Sequence, residues 1–577
     1  MLRDFSFNAL PAGITRGALG TFATVAVATI ASVLLWLYVW ESAPVVPIWD
    51  AWLWIAQARA YLNGGVGAVV RNVGLANNEH LYALPSLIFL LVGPWIDYSQ
   101  RPFALTGVAL LIAFGVFFYG VARSAGLGRF GALLVFLVVA SFRHYENLLI
   151  GFQFGVVLSV FAGAAAVFMS GHRSGRATLA AALSLALVSA ASSAVGVIAL
   201  GLVVTIGVVD WKSPKRMVLA GIGLGVFVLL GGIALYSIEL TGKGYFAAMA
   251  KAFHGTSVAG ILAGWARVMG GGLVAEKVAA TATGLAAITW LVGCLAEGLR
   301  RDRRISGLSG LALFSLLSTL AVAWGRFPVI EAASRWAIFA TPGIAVGLIW
   351  LLLRLAKEGK PQPALNGALA FLVVWLAAFH HDDANAYRQR TEAWGAEVGA
   401  NLADLKTGGM PSVAEIGRVN PGPPDFIRKL MTFYNRKGPS SGEGGPAIEV
   451  IRTLPSSVAP GATIRQDGEL LALTGPGYTY NRLTCAQESG CLIRLAVDIS
   501  AAGKATVGII VRNPDGTERV NANHPVPASS SFSVQTVSVA AAFREIVDPY
   551  VFCFTQDDTA RIREFKVLIV AGARQAR

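Results

Sequence analysis

Long apolar runs alternate with short polar tracts over the first 380 residues of the chain. A transmembrane helix needs about 20 predominantly apolar residues, and several of these runs are shorter than that. The predicted spans cover residues 18–40, 103–122, 131–142, 155–170, 178–192, 194–209, 217–237, 279–298, 305–323, 336–353 and 365–380. The pattern therefore predicts an α-helical polytopic membrane protein with about 11 transmembrane helices.

The basic residues between these runs predict the topology. Lysine and arginine concentrate in cytoplasmic loops, so short tracts such as "RRDRR" at 300–304, together with the N-terminus, are expected on the cytoplasmic side. For the basic tracts to share one side, the apolar run 81–96 must lie as a juxtamembrane helix within a long first outer loop, and 237–277 must stay outside. The odd number of spans then places the C-terminus outside the cytoplasm.

The composition becomes polar after His380 and predicts two further regions. Residues 381–446 contain a helical stretch around 384–405 and a linker rich in Pro, Gly and Ser. Residues 447–577 contain the β-rich runs "ATVGIIVRN", "SFSVQTVSV", "YVFCFTQ" and "REFKVLIVAG", separated by turn residues. This spacing is typical of a β-sandwich, here a jelly-roll-like domain on the extracytoplasmic side.

The cysteines leave two alternatives open. Cys485 and Cys491 flank a short loop and either form a disulfide in an oxidising compartment or remain free thiols in adjacent strands. The chain contains no Cys-x-x-Cys pair, so a structural zinc site is not expected.

Composition supports the membrane class. The 577 residues are 55% hydrophobic and only 14% charged, with a mean hydropathy of +0.60, which excludes an ordinary soluble protein. The net charge of +14 does not indicate nucleic acid as a partner, because the basic residues recur in short tracts between apolar runs. We expect the bacterial cytoplasmic (inner) membrane as the location, with the lipid bilayer as a partner.

Three predicted outer loops carry polar residues at the ends of spans. The first has Asp50 in "IWDAW" and Glu79 and His80 in "NNEH"; the second has Arg143, His144 and Glu146 in "SFRHYENLLIGFQ"; the third has Arg326 and Arg335 in "GRFPVIEAASRW". Because unpaired charges are costly at a bilayer, acids and arginines on one face favour a polar cavity. The alternative is that the charges are solvated or snorkelling, and that Trp49, Trp52 and Trp95 form an interfacial belt.

The order of these motifs resembles that of the GT-C superfamily of polyprenyl-linked membrane glycosyltransferases. The resemblance covers roughly the first 380 residues, predicted as the catalytic domain. It implies a transfer of a sugar from a polyprenyl-phosphate-linked donor to a hydroxyl acceptor on a glycan, lipid or protein, by inverting displacement. It also implies that Asp50 is the general base, or orients the acceptor.

The resemblance assigns substrate-binding roles to other polar residues. The leaving polyprenyl phosphate is anionic and requires cations, so Arg326 and Arg335 are the first choices for binding it, followed by Arg143, His80 and His144. Glu79 belongs to the same set. The alternative for the arginines is an ion pair with a neighbouring acid.

Glu146 matches the acid that helps to bind a divalent cation in metal-dependent members. The chain departs from them because "YENL" lacks their paired acids, so no cofactor is assigned and a divalent cation is kept only as an alternative. Glu146 then orients an acceptor hydroxyl or Arg143.

Other functions remain as alternatives. A flippase or transporter of lipid-linked glycans would carry its charges near the middle of the membrane, whereas the predicted spans here are nearly free of charge. A polysaccharide polymerase or ligase, or a noncatalytic scaffold, would also accommodate the outer residues.

Overall fold

A computed structural model defines the fold. It describes residues 16–72, 76–77, 80–172, 175–209, 257–302, 305–325, 334–357, 362–406, 424–437, 448–452, 457–458, 463–467, 470–480, 482–484, 491–541, 544–555 and 557–571. The chain divides into two compact units. The first comprises Met1–Ala43, Ala56–Pro94 and Gln100–Arg388, and the second comprises Pro44–Ile55, Trp95–Ser99 and Gln389–Arg577.

Most of the first unit is helical. The α-helices of the described residues, through both units, are α1 (Arg16–Ser42), α2 (Ala51–Asn72), α3 (Ala83–Val92), α4 (Arg101–Ser124), α5 (Arg129–Val139), α6 (Tyr145–Leu149), α7 (Phe154–His172), α8 (Arg176–Ser192), α9 (Val195–Val209), α10 (Val258–Gly271), α11 (Lys277–Asp302), α12 (Gly307–Gly325), α13 (Ser334–Lys357), α14 (Gln362–Lys406) and α15 (Pro424–Lys437).

Seven helical segments of the described residues are long and apolar enough to cross a membrane, which indicates a multi-pass membrane protein. They are Gly20–Ser42, Arg101–Ser124, Arg129–Leu149, Gly151–His172, Lys277–Arg300, Gly307–Trp324 and Ser334–Lys357. Each coincides with a predicted span.

The other predicted spans have different outcomes. Those at 178–192 and 194–209 correspond to the shorter apolar helices Ala177–Ser192 and Val195–Ile206. The span at 365–380 lies within α14, and the span at 217–237 lies outside the described residues. The total of eleven spans therefore stays a prediction.

The run 81–96, expected to lie in the first outer loop, forms only a short helix. The ten residues of α3 extend for about 15 Å at 1.5 Å per residue, roughly half the thickness of the hydrocarbon core. A short 3-10 turn at Gly93–Ile96 follows it. This length is consistent with a juxtamembrane helix that does not cross.

Helices of the first unit pack closely through small residues. A side chain on Gly163 of α7 would meet Ser189 Oγ at 2.8 Å and Ala199 Cβ at 3.0 Å, so α8 and α9 both approach the α7 backbone. Ser159 and Ser189 also exchange hydrogen bonds, each hydroxyl donating to the other residue's carbonyl oxygen at 2.9 and 2.6 Å. These contacts join apolar helices without bulky side chains.

Helix α14 joins two regions that the sequence suggested were separate. It runs for 45 residues and includes both the predicted span at 365–380 and the helical stretch at 384–405. No glycine or proline interrupts residues 368–394, which explains its continuity. The boundary between the two compact units falls inside this helix, at Arg388.

The C-terminal region is built of β-strands, as predicted. The chain forms β1 (Ala76–Asn77) and β2 (His80–Leu81) in the first unit, and then β3 (Ile448–Arg452), β4 (Ser457–Val458), β5 (Thr463–Asp467), β6 (Leu470–Thr474), β7 (Gly477–Tyr480), β8 (Leu483–Thr484), β9 (Cys491–Ala502), β10 (Ala505–Arg512), β11 (Glu518–Val526), β12 (Ser529–Ala541), β13 (Ile546–Cys553) and β14 (Thr559–Ala571).

These later strands form two antiparallel sheets. Sheet I has the order β11-β10-β13-β7-β4, with β8 beside β13, and sheet II has the order β12-β9-β14-β6-β5, with β3 beside β14. Alternate residues of both sheets form one buried hydrophobic cluster. It includes Val507 and Val551 of sheet I and Leu495 and Phe565 of sheet II. The predicted strand runs are thus confirmed as parts of β10, β12, β13 and β14.

One carboxylate stabilises the turn between β9 and β10. Asp558 accepts hydrogen bonds from the backbone N–H of Lys504 and Thr555, both at 2.8 Å, and of Phe554 at 3.2 Å. Gly503 in this turn has φ +106°, and a side chain there would collide with the Asp558 carboxylate. The backbone donors lower the pKa of Asp558, with the Lys504 N–H contributing most.

We expect Asp558→Asn to lower the melting temperature of the β-rich region by an amount that depends on pH. Because the pKa of Asp558 is lowered on folding, its stabilisation is fully present above the unfolded pKa of about 3.9 and disappears as the pH falls through the folded value. Thermal unfolding of native and variant full-length protein between neutral and acidic pH measures this. The difference should be constant above about pH 5 and shrink below pH 4; a difference independent of pH would contradict it.

Candidate functional site

The second predicted outer loop is a compact turn where two candidate spans, Arg129–Leu149 and Gly151–His172, meet. After α5 the chain forms a 3-10 turn at Phe142–His144, then α6, and then a second 3-10 turn at Gly151–Gln153 before α7 begins. Four of the five residues 143–147 are buried polar or charged groups, namely Arg143, His144, Glu146 and Asn147. Buried polar groups require partners, so their contacts define what the loop does.

Glu146 and Asn147 bind the first turn of α13. The Glu146 N–H donates to Ser334 Oγ at 2.9 Å, and the Glu146 carboxylate lies within hydrogen-bonding reach of the backbone amides of Ser334 and Arg335. Asn147 Nδ2 donates to the carbonyl oxygens of Ser334 and Arg335, both at 3.3 Å. A carboxylate at a helix N-terminus satisfies amides that have no partner within the helix.

Arg335 brings a guanidinium to the same place. Its Nε lies 3.8 Å from Glu146 Oε2, and its side chain is 38% exposed whereas that of Glu146 is 11% exposed. The guanidinium carbon also lies 5.1 Å from the ring centre of Trp336. An acid of the second loop and an arginine next to the third loop are therefore in contact, and this ion pair is also the alternative that the sequence left open for Arg335.

Arg143 is fully buried beside them. Its Nε donates to the carbonyl oxygen of Gly271, at the end of α10, at 2.6 Å. The Tyr145 hydroxyl is a further hydrogen-bond partner of its guanidinium, and Glu146 and Asp383 are the nearby negative charges. A guanidinium without exposure to water depends on such partners.

Helix α14 contributes further polar side chains near Arg143 and Tyr145. The rings of Tyr387 and Tyr145 lie 5.0 Å apart, and His380 Nε2 lies 2.8 Å from the carbonyl oxygen of Leu273. Partial burial raises the pKa of the Asp383 carboxyl, while the Arg143 guanidinium acts in the opposite direction. We call Arg143, Tyr145, Glu146, Arg335, Asp383 and Tyr387 the polar cluster.

The polar cluster combines two guanidiniums with two carboxylates and two phenols. Arg335 is its most accessible cation, and Arg143 lies behind it in the protein interior. Guanidinium donors suit phosphate oxygens, and carboxylates suit hydroxyl groups. The cluster therefore has the groups needed to bind an anionic, hydroxyl-rich molecule beside apolar helices.

Asp50 belongs to the second unit and occupies a helix N-terminus there. It directly precedes α2, its carbonyl oxygen accepts the Leu53 N–H at 3.0 Å, and it is half-buried. The preceding residue, Trp49, has a positive φ of 49°, an uncommon conformation for a bulky residue. An acid at this position either stabilises α2 as its N-cap or has a chemical role.

The tryptophans around Asp50 have distinct environments. The Trp49 ring lies 4.4 Å from that of Trp394, and the Trp52 ring lies 5.9 Å from that of Tyr434, all within the second unit. Trp52 is only 1% exposed, whereas Trp95 is 88% exposed. Trp52 therefore packs inside the protein. Of these two tryptophans, only Trp95 has the exposure that an interfacial belt requires.

The other predicted site residues have separate outcomes. Arg326 and Glu79 fall outside the described residues, as does Cys485. His80 pairs with Asn77 in the β1–β2 hairpin. His144 is buried, with its Nε2 3.4 Å from Thr341 Oγ1, and so fits a structural role at the base of the loop. A shared cavity for Asp50, Arg326 and Arg335 stays a prediction.

The contribution of α14 to the polar cluster was not predicted from the sequence. His380, Asp383 and Tyr387 come from "HHDDANAY", which begins at the last residue of the last predicted span. The same reasoning that selected polar residues at the ends of other spans would have selected this motif. Gly271 and Ser334 could not have been found in this way, because their backbone and hydroxyl groups act only through tertiary packing.

Among the described residues, no group of three or more His, Cys, Asp or Glu side chains is arranged to hold a metal ion. Cys294 and Cys553 are free thiols in that part of the chain. The described elements thus define a multi-pass helical membrane protein with a polar cluster and a C-terminal region of two β-sheets.

Comparisons with known proteins do not assign the chain to a family. No family model matches the chain, and no curated protein matches it. Among solved structures, it is similar to a mutant of a family 29 carbohydrate-binding module, with 14% identity, a TM-score of 0.18, and coverage of 23% of this chain and 98% of that one. It is also similar to the enzymatically active domain of bacteriophage CBA120 tailspike protein 4, with 12% identity, a TM-score of 0.16, and coverage of 22% and 20%. Scores this low support no assignment of function.

Proposed function

We propose that this protein is a membrane glycosyltransferase of the GT-C type. It moves a sugar from a polyprenyl-phosphate-linked donor to a hydroxyl group of a glycan, lipid or protein acceptor. The proposed architecture has about eleven spans, with the polar cluster and a C-terminal β-sandwich on the extracytoplasmic face of a bacterial inner membrane.

The polar cluster is the observation that carries this proposal. Arg143 and Arg335 both act on the Glu146 carboxylate, beside helices that are apolar over most of their length. A polyprenyl phosphate is both a lipid and an anion, so it matches this combination of an apolar surface and guanidiniums. Arg335 contacts the phosphate in this proposal, and Arg143 supports the positive potential from the interior.

Asp50 is the proposed general base. The acceptor hydroxyl must lose its proton as it attacks the anomeric carbon, and a partly buried carboxylate can accept that proton. Oxygen–carbon bond formation accompanies cleavage of the bond to the phosphate oxygen, which leaves as the polyprenyl phosphate anion. A single displacement of this kind inverts the anomeric configuration.

Sugar transfer by the purified full-length protein tests the proposal. The donors are undecaprenyl phosphates that carry radiolabelled glucose, mannose or arabinose, and the acceptors are short oligosaccharides. We expect the label to move from the lipid to the water-soluble acceptor. If the label instead remains on the lipid and crosses the bilayer of proteoliposomes, the protein is a transporter and the proposal is wrong.

A further inference from the structure

The outer side of sheet I carries a block of aromatic side chains. In β13, Val547, Val551 and Cys553 face the hydrophobic cluster, so Tyr550 and Phe552 face away from it. Tyr550 pairs directly with Tyr480 of β7, and Phe552 pairs with Tyr478. We call Tyr478, Tyr480, Tyr550 and Phe552 the tyrosine face.

The four rings of the tyrosine face are close together. The Tyr478 ring centre lies 5.3 Å from that of Tyr480, 6.0 Å from that of Tyr550 and 6.4 Å from that of Phe552. Tyr550 is buried, whereas the other three are partly exposed. The rings therefore form one aromatic surface, in which Tyr550 is the buried ring and the other three are accessible.

Gly508 of β10 determines where the Tyr550 ring lies. A side chain at Gly508 would come within 2.5 Å of the Tyr550 hydroxyl and of the ring carbon that bears it. Glycine inside a strand is otherwise unfavourable, and it often marks a place where another group approaches the backbone closely. Here that group is the Tyr550 ring, which lies across β10.

Hydrogen-bonding groups border the tyrosine face on β11. Asn521 and Asn523 are exposed, and the Tyr550 hydroxyl donates to Asn521 Oδ1 at 3.1 Å. Asn523 is also within hydrogen-bonding reach of Tyr550. Each amide supplies both donors and an acceptor next to the rings.

The charges beside the face are largely compensated. Asp548 accepts from Arg482 at 3.0 Å and from Arg512 at 3.2 Å. Arg519 pairs in the same way with Glu545, at 2.6 Å. These arginines are therefore engaged with carboxylates, and the face offers rings and amides rather than a site for a strong anion.

We propose that the tyrosine face binds an uncharged oligosaccharide. A pyranose has C–H groups on the faces of its ring and hydroxyls around its edge, so it can stack on Tyr478 or Tyr480 while its hydroxyls bond to the asparagine amides. Because each of the three nearby arginines already pairs with a carboxylate, a neutral sugar is favoured over a phosphate or a uronic acid. This inference goes beyond the proposed transfer reaction and does not depend on it.

Calorimetric titration of the full-length protein tests this inference. The probes are cellohexaose, mannohexaose, laminarihexaose and maltohexaose, used up to millimolar concentration. We expect the native chain to bind at least one of them, and Tyr480→Ala to weaken that binding by about tenfold. Tyr480→Phe keeps the ring and should bind within about threefold of the native chain.

Two matched variants complete the test. Phe532 is a partly exposed aromatic residue on sheet II, beside Arg563, so Phe532→Ala should leave binding unchanged. Asp50→Asn should also bind normally, which keeps this result distinct from sugar transfer. The inference is overturned if none of the four sugars binds, or if Tyr480→Ala binds as well as the native chain. It is equally overturned if Tyr480→Ala only converts a dimer to a monomer, because the face would then be a contact between copies.

Discussion

Replacing Asp50 by asparagine is expected to lower the rate of sugar transfer by about a hundredfold or more while leaving the fold intact. The expected loss reflects the contribution of a positioned general base. Asparagine suits this change because Asp50 directly precedes α2, and asparagine caps a helix N-terminus about as well as aspartate. The variant therefore removes the basic group and retains the structural role. Initial rates at saturating donor and acceptor measure the effect.

Glu41 provides the matched control for this prediction. It is an exposed acid near the end of α1, where a charge at a membrane boundary is ordinary. Glu41→Gln removes one negative charge from the same part of the sequence and should transfer sugar at the native rate. Native activity of Asp50→Asn would remove Asp50 from the mechanism and leave helix capping as its role.

The helices and strands were largely predictable because their signals are local. Seven of the predicted spans correspond to long apolar helices, and the apolar, β-branched runs of the C-terminal region form strands. The continuity of α14 was not predicted. The change of composition after His380 suggested a boundary, but a change from apolar to polar residues does not end a helix.

The polar cluster was only partly predictable, because it depends on tertiary contacts. Charges at the ends of apolar runs require partners, and Glu146 and Arg335, both selected on this ground, do lie next to each other. Glu146 and Arg335 are 189 positions apart in the sequence, so no local signal indicates their contact. The contact of Arg143 with Gly271 was also not predictable, because every residue type has a backbone carbonyl.

The tryptophans show a different limit of sequence reasoning. Trp52 and Trp95 have the same chemical preference for an interface, yet the first is buried and the second is almost fully exposed. What separates them is packing, since the Trp52 ring lies against Tyr434 of α15, a helix far along the chain. Aromatic residues near a predicted span therefore identify an interface only after the protein contacts are known.

Arg335→Ala is expected to raise the KM for the polyprenyl-phosphate donor by roughly 10- to 100-fold, with a smaller effect on kcat. Loss of a hydrogen bond to a charged group costs about 1.5–3 kcal/mol, which corresponds to this range. An interaction with the donor phosphate that exists before and during the reaction changes KM more than kcat. Arg335→Lys keeps the charge but loses the two-pronged geometry, so an intermediate KM is expected.

Arg354 is the control for this variant because it lies in the last turn of α13, whereas Arg335 lies in the first. Arg335 and Arg354 are 19 positions apart, which separates their backbone positions by about 28 Å along the helix. Arg354→Ala should leave the KM for the donor unchanged. An equal rise in both variants would indicate a general effect of positive charge on a lipid substrate.

Arg335 could act by binding the donor phosphate or only by neutralising Glu146. A double-mutant cycle separates these two roles. If Arg335 serves only to neutralise Glu146, then Arg335→Ala should have little further effect on donor KM in a Glu146→Gln background. If Arg335 binds the phosphate, the rise in KM persists in that background, because removal of the carboxylate does not remove the ligand. The ratio of donor KM values with and without Arg335 in each background measures this directly, and its collapse to about one would assign the arginine to structure.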